Sequence, residues 1–132
     1  MIVVDASVVA NAIGDDTADG AAARTALRQD RDIASPDLVD VETVSVLRNR
    51  WLAGDLTARR FRAAITDLAD LAITRHPTMP FMQRAYELRA NVTPYDAAYI
   101  GLAELLGCAL FTADGRLASA PGHRCEIRLI QP

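Results

Sequence analysis

The sequence predicts an α/β fold: a three-layer α/β/α sandwich around a central, mostly parallel sheet. Three observations carry this expectation. Short segments read as strands at residues 2–4, 32–35, 73–76, 109–112 and 127–130, the first of them a continuous apolar run. Stretches of helical period separate the first four of them. Glycine and proline punctuate the joins, at Gly14, Pro36, Gly54, Pro77 and Gly107. Strands that alternate with helices favour a parallel sheet covered on both faces. Parallel strands bring their carboxyl ends to one edge, where ligands of such sheets bind.

The elements follow in order. Residues 2–4, Ile-Val-Val, form a buried-strand pattern that ends at Asp5. A helix is expected over 7–13 with Ser7 as its cap, and an alanine-rich helix over 17–28. After the 32–35 strand, residues 37–52 carry apolar side chains at Leu38, Val41, Val44, Leu47 and Trp51, a helical spacing closed by Gly54. Thr57 caps the next helix, which bears Phe61, Ile65, Leu68 and Leu71. A helix near 80–89 follows the 73–76 strand. Thr93-Pro94 opens another that reaches about Leu106 and stops at Gly107.

The chain has 132 residues, which fits a single domain spanning 1–132. Hydrophobic residues make up 51% of it, enough for a core of its own. No apolar run approaches the roughly 20 residues that span a bilayer. The N-terminus reaches Asp5 too soon for a secretory signal, so a cytoplasmic location is expected. Cys108 and Cys125 form no C-x-x-C pair and only two histidines accompany them, which argues against zinc. The thiols read as small core hydrophobes, with a disulfide left open. His76 and His123 are assigned no role.

Net charge is −3, which does not mark a nucleic-acid binder. All 14 basic residues are arginine. Arginine forks around phosphate better than lysine does, although coding bias also produces such a composition.

Three acids fall where the sheet edge is expected, and a fourth, Asp96, joins them if its helix starts at that edge. Asp5 follows the first strand directly. Asp114 lies two residues after the strand ending at Thr112. Glu42 sits near the start of the helix after the second strand, and Asp96 in the first turn of the Thr93-Pro94 helix. Gathered carboxylates repel one another unless a counter-charge joins them. A hard divalent cation supplies one, and Mg²⁺ or Mn²⁺ prefers oxygen ligands. With such an ion, a cluster lacking lysine and histidine suits phosphodiester hydrolysis better than acyl transfer. Each acid also has a plainer reading. Asp96 completes a capping box with Thr93. Asp114-Gly115 is a turn signal. Asp5 caps the first helix, and Glu42 is an ordinary first-turn glutamate.

These residues resemble the PIN-domain nucleases, and among them the VapC-type toxins of bacterial toxin–antitoxin pairs. Ile2-Val3-Val4-Asp5-Ala6-Ser7 is similar to the family's first motif. Glu42, between Pro36 and Leu47-Arg48, falls at the second acid. The most specific part runs from Pro94-Tyr95-Asp96-Ala97-Ala98-Tyr99 through Leu102-Ala103-Glu104 to Leu110-Phe111-Thr112-Ala113-Asp114 and Leu117-Ala118. The resemblance covers essentially the whole chain. It implies an endoribonuclease dependent on Mg²⁺ or Mn²⁺, with Asp5, Glu42, Asp96 and Asp114 as catalytic and metal-binding residues. Asp5 and Asp96 stand foremost among the ligands, and Ser7 and Thr112 are supporting hydroxyls. It implies RNA as substrate, a cognate antitoxin as partner, a homodimer, and a higher assembly with the antitoxin. Many relatives carry asparagine three residues after the second acid; here Ser45 stands there.

Two rival functions remain at this level. A receiver- or phosphatase-like phosphoryl-transfer domain also sets aspartates at strand ends, but it normally needs a lysine and this chain has none. A non-catalytic acidic module would bind a basic partner without metal. Arg59, Arg60 and Arg62 belong either to a partner-binding surface or to a solvated helix face. Trp51 reads more readily as core or interface packing than as a base-stacking platform, and the sequence leaves both open.

Overall fold

A computed structural model describes residues 1–132. The chain runs β1 (Ile2–Val4), α1 (Ala6–Gly14), α2 (Ala18–Leu27), β2 (Ile33–Pro36), α3 (Val39–Leu52), α4 (Ala58–Asp70) and β3 (Ile73–His76). A 3-10 turn (Met79–Phe81) leads to α5 (Met82–Glu87), α6 (Pro94–Leu106), β4 (Ala109–Thr112), α7 (Gly115–Ala118) and β5 (Ile127–Leu129). All five strands are parallel, in the order β3-β2-β1-β4-β5. The chain therefore moves outward from β1 to β3, then returns past β1 to lay β4 on its other side. That reversal puts the switch point between the carboxyl ends of β1 and β4.

The central strand β1 is buried over its whole length. This is why it reads as an unbroken apolar run rather than an alternating one. Helices α1 to α4 pack on one another to one side, while α6 lies across β1, β2 and β4 with α5 against it. Residues 97–103 of α6 are all buried. Small residues allow that closeness: a Cβ on Gly101 would stand 2.9 Å from the Phe81 ring. Gly107 ends α6 in the left-handed region, at φ 65°, a conformation that favours glycine.

Helix α3 differs from expectation. Val41 is 77% exposed and Trp51 45%, whereas Val39, Thr43 and Leu47 are buried. The core face follows the i, i+4 row through 39, 43 and 47. Thr43 sits on it in place of a hydrophobe; of the expected stripe, Leu47 is buried and Leu38 and Val44 pack against the core, while Val41 and Trp51 fall outside it. Trp51 is accordingly a surface side chain rather than core packing. The entry of α3 is held from β3, where the Arg75 guanidinium forks onto both Asp40 oxygens at 2.8 and 2.9 Å. Ser7 does not cap α1; Asp5 does, accepting the Val8 amide. Thr57 and Thr93 cap α4 and α6 as expected. Both thiols are free and half-buried against the core. No helix is long and apolar enough to cross a membrane.

The corrected face of α3 is testable by chemical denaturation. Leu47→Ala should cost about 2–5 kcal/mol, the range for a buried leucine truncation. Val41→Ser, on the exposed flank, should stay within about 0.5 kcal/mol. Equal losses at the two positions would contradict this packing.

Candidate active site

The carboxyl end of β1 delivers Asp5, only 5% exposed, as the N-cap of α1. A carboxylate so deep needs donors, and three reach it. The Val8 amide and the Ser7 hydroxyl donate to Oδ1 at 3.2 and 2.5 Å, and the Thr112 hydroxyl donates to Oδ2. Each hydroxyl is itself fixed by a backbone donor. Ser7 Oγ accepts the Ala113 amide at 2.9 Å, and Thr112 Oγ1 accepts the Asp114 amide at 3.0 Å. The Asp5 amide donates to the Phe111 carbonyl at 3.1 Å. One network thus ties the ends of β1 and β4 together and fixes the backbone that carries Asp114.

The other acids reach this edge from helix starts. Asp96 lies in the first turn of α6, its amide donating to Thr93 Oγ1 at 3.2 Å. Asp114 caps α7 by accepting the Arg116 amide at 2.9 Å. Glu42 lies in the first turn of α3, half-buried, and accepts the Tyr99 hydroxyl at 2.7 Å. Tyr99 is a site residue that sequence reasoning left without a role. It stands three residues after Asp96 on one face of α6, and a buried phenol needs a polar partner. Those two facts were the available signal. Ser45 is exposed on α3.

The electrostatics bind the four acids into one system. Burial pushes the Asp5 carboxyl up to about 6, against the pull of its Ser7, Thr112 and Val8 donors and with a push from Asp96. Burial also raises Glu42; the Tyr99 hydroxyl opposes the rise and the Asp96 charge adds to it. Asp96 is raised by burial and by Asp114, and is relieved by Thr93 and Arg116. Burial and the Glu42 charge raise the Tyr99 phenol, which therefore keeps its proton and stays a donor.

No three of the chain's Asp, Glu, His or Cys side chains are drawn together into a ready-made metal cage. The donor set nonetheless fits a hard cation, since every candidate ligand is a carboxylate oxygen. Mg²⁺ keeps several waters and takes as few as one or two carboxylates, so it does not require a closed cage. The raised acids mark where positive charge would be most favourable.

The Asp5 shift has a consequence for stability. Its folded value of about 6 lies above the ordinary 3.8, so the fold favours the protonated form. That stabilisation is complete below 3.8 and is lost as pH rises through about 6. A rise of this size corresponds to about 3 kcal/mol. Thermal melts in EDTA should show Asp5→Asn gaining on the wild type by several degrees between pH 4 and pH 7.5. A gap independent of pH would contradict the assignment.

The PIN domain family matches residues 2–122. VapC ribonuclease Mb0985 of Mycobacterium bovis and Ribonuclease VapC9 of Mycobacterium tuberculosis are each 40% identical over 130 residues, covering 98% of this chain and 98% of theirs. The crystal structure of Mycobacterium tuberculosis VapC20, described as a Sarcin-Ricin loop cleaving toxin, superposes with a TM-score of 0.74 over the whole of both chains. At 17% identity that likeness speaks for the fold. The chain belongs to the PIN-domain family, among the VapC ribonucleases.

Proposed function

We propose that this protein is an endoribonuclease dependent on Mg²⁺ or Mn²⁺ and the toxin of a toxin–antitoxin pair. The observation that carries the reading is Asp5, buried at the switch point and electrostatically coupled through Asp96 to Glu42 and Asp114. The metal ligands are Asp5 and Asp96 first, with Glu42 and Asp114 completing the set. When bound, a divalent cation offsets charge on the scissile phosphate and lowers the pKa of water.

The chain's own residues supply the rest. Ser7 and Thr112 fix the Asp5 carboxylate in one orientation, which limits reorganisation during reaction. Tyr99 holds Glu42 in the same way. Arg116 lies beside Asp96 and Asp114 and reduces repulsion between an acidic edge and a polyanion. A half-buried carboxylate with a raised pKa, Glu42 or Asp96, is suited to take a proton from attacking water.

The same reading extends to partners. A cognate antitoxin would cover the acidic edge with a basic or bulky side chain. The functional unit is a homodimer, larger with antitoxin bound, acting in the cytoplasm as one nuclease domain over residues 1–132. Arg59 and Arg62 are exposed on α4 and free to meet RNA or antitoxin, whereas Arg60 is engaged with Asp16. The phosphoryl-transfer rival loses ground to family membership and to the missing lysine.

An RNA cleavage assay with Mg²⁺, Mn²⁺ and EDTA arms tests the reading. Wild type should cut with either ion and stop in EDTA, and Asp96→Asn should be inactive while folded. Ser7→Ala, which loosens the Asp5 clamp, should lose about 10–100-fold. Full activity in Asp96→Asn would defeat the assignment.

A further inference from the structure

Consecutive residues on α6, Tyr95 and Asp96, open into two different hollows beside the acids. Asp96 and Asp114 line a cleft of about 530 Å³ whose walls carry Arg89 and Arg116. Tyr95 lines a groove of about 320 Å³ with Leu38, Val41, Glu42 and Ser45. The acids separate them: Glu42 faces the groove, and Asp96 and Asp114 face the cleft.

The hollows differ in chemistry. The cleft holds two arginines. Arg116 is 95% exposed at its side chain, and Arg89 is stacked 4.1 Å over the Tyr86 ring. The groove holds no basic residue. It presents an aromatic side chain 61% exposed and a valine 77% exposed, with one carboxylate and one hydroxyl at hand. In the cleft the two arginines offset Asp96 and Asp114, whereas in the groove Glu42 has no counter-charge, so a phosphate is better placed in the first. A neutral heterocycle meets no such penalty in the groove and gains a stacking partner.

We propose that the Tyr95 groove is a nucleobase subsite. An unpaired base flanking the cleaved bond stacks on Tyr95 against Leu38 and Val41, while neighbouring phosphates run toward Arg89 and Arg116. This rests on the reading of the acids as the RNA-cleaving centre. Single-stranded RNA is recognised by splaying bases onto aromatic faces, which this arrangement permits. Ser45 at the groove can pair with any base edge, whereas the ionised Glu42 carboxylate only accepts and favours a base edge that donates, so the subsite sets a nucleotide preference as well as affinity.

The test uses a random single-stranded RNA pool and the full chain, with melts confirming that each variant folds. In EDTA, Tyr95→Ala should bind the pool about tenfold more weakly than wild type, and Tyr95→Phe should bind near wild type. With Mn²⁺, sequencing of the cut ends should show a base preference at one flanking position, flattened in Tyr95→Ala and kept in Tyr95→Phe. Unchanged affinity and unchanged preference in Tyr95→Ala would overturn the proposal. So would a loss confined to self-association in sedimentation, which would make the groove a protein interface. Asp5→Asn separates the two readings. If it still cuts, the acid centre fails, whereas the EDTA binding loss in Tyr95→Ala reports on the groove alone.

Discussion

The structure depends on one buried carboxylate. Asp5 is almost sealed from solvent, yet its two oxygens take three donors from α1 and β4. Those donors compensate only part of the cost of burial, since its pKa still stands well above the ordinary value. Everything around it follows from holding that charge at the junction of β1 and β4. The two hydroxyls lock the strand ends, and the locked strand end presents Asp114. The N-termini of α1, α3 and α6 carry Asp5, Glu42 and Asp96 at the cap or in the first turn, where the helix dipole favours negative charge.

The capping and catalytic readings of these acids turn out to be compatible. Asp5 does cap α1, Asp114 does cap α7, and the Asp96 amide does pair with Thr93. A cap is a short-range use of a carboxylate, and it fixes the side chain where the helix begins. In a parallel sheet, helices that begin after strands begin at one edge. Local capping therefore brings Asp5, Glu42 and Asp114 to that edge, and α6, which follows α5, adds Asp96 close enough to raise Asp5 and Glu42.

Much of this was legible in sequence because β1 and most of β4 are continuous apolar runs with clear ends. The positions of Asp5 and Asp114 then follow by counting. Glu42 and Asp96 were legible through Gly, Pro and Thr signals at helix starts. The face of α3 was not, because Thr43 occupies a core position and Val41 and Trp51 lie outside it. Periodicity cannot separate two flanks that carry similar numbers of apolar residues. Sequence offered both Ser7 and Asp5 as the cap of α1; Asp5 takes it, and Ser7 spends its hydroxyl on Asp5. Helix α7 is a single turn, too short for any period to register. Tyr99 was hidden because its partner, Glu42, lies 57 residues away on another helix.

Metal binding at the acid cluster is the central claim, and an anomalous difference map from a crystal soaked in Mn²⁺ tests it most directly. The account predicts a peak about 2 Å from oxygens of Asp5 and Asp96, near the coordination distance of a small hard cation, and no peak there in Asp5→Asn. A Mn²⁺ peak bound elsewhere, with these carboxylates bare at saturating metal, would contradict it.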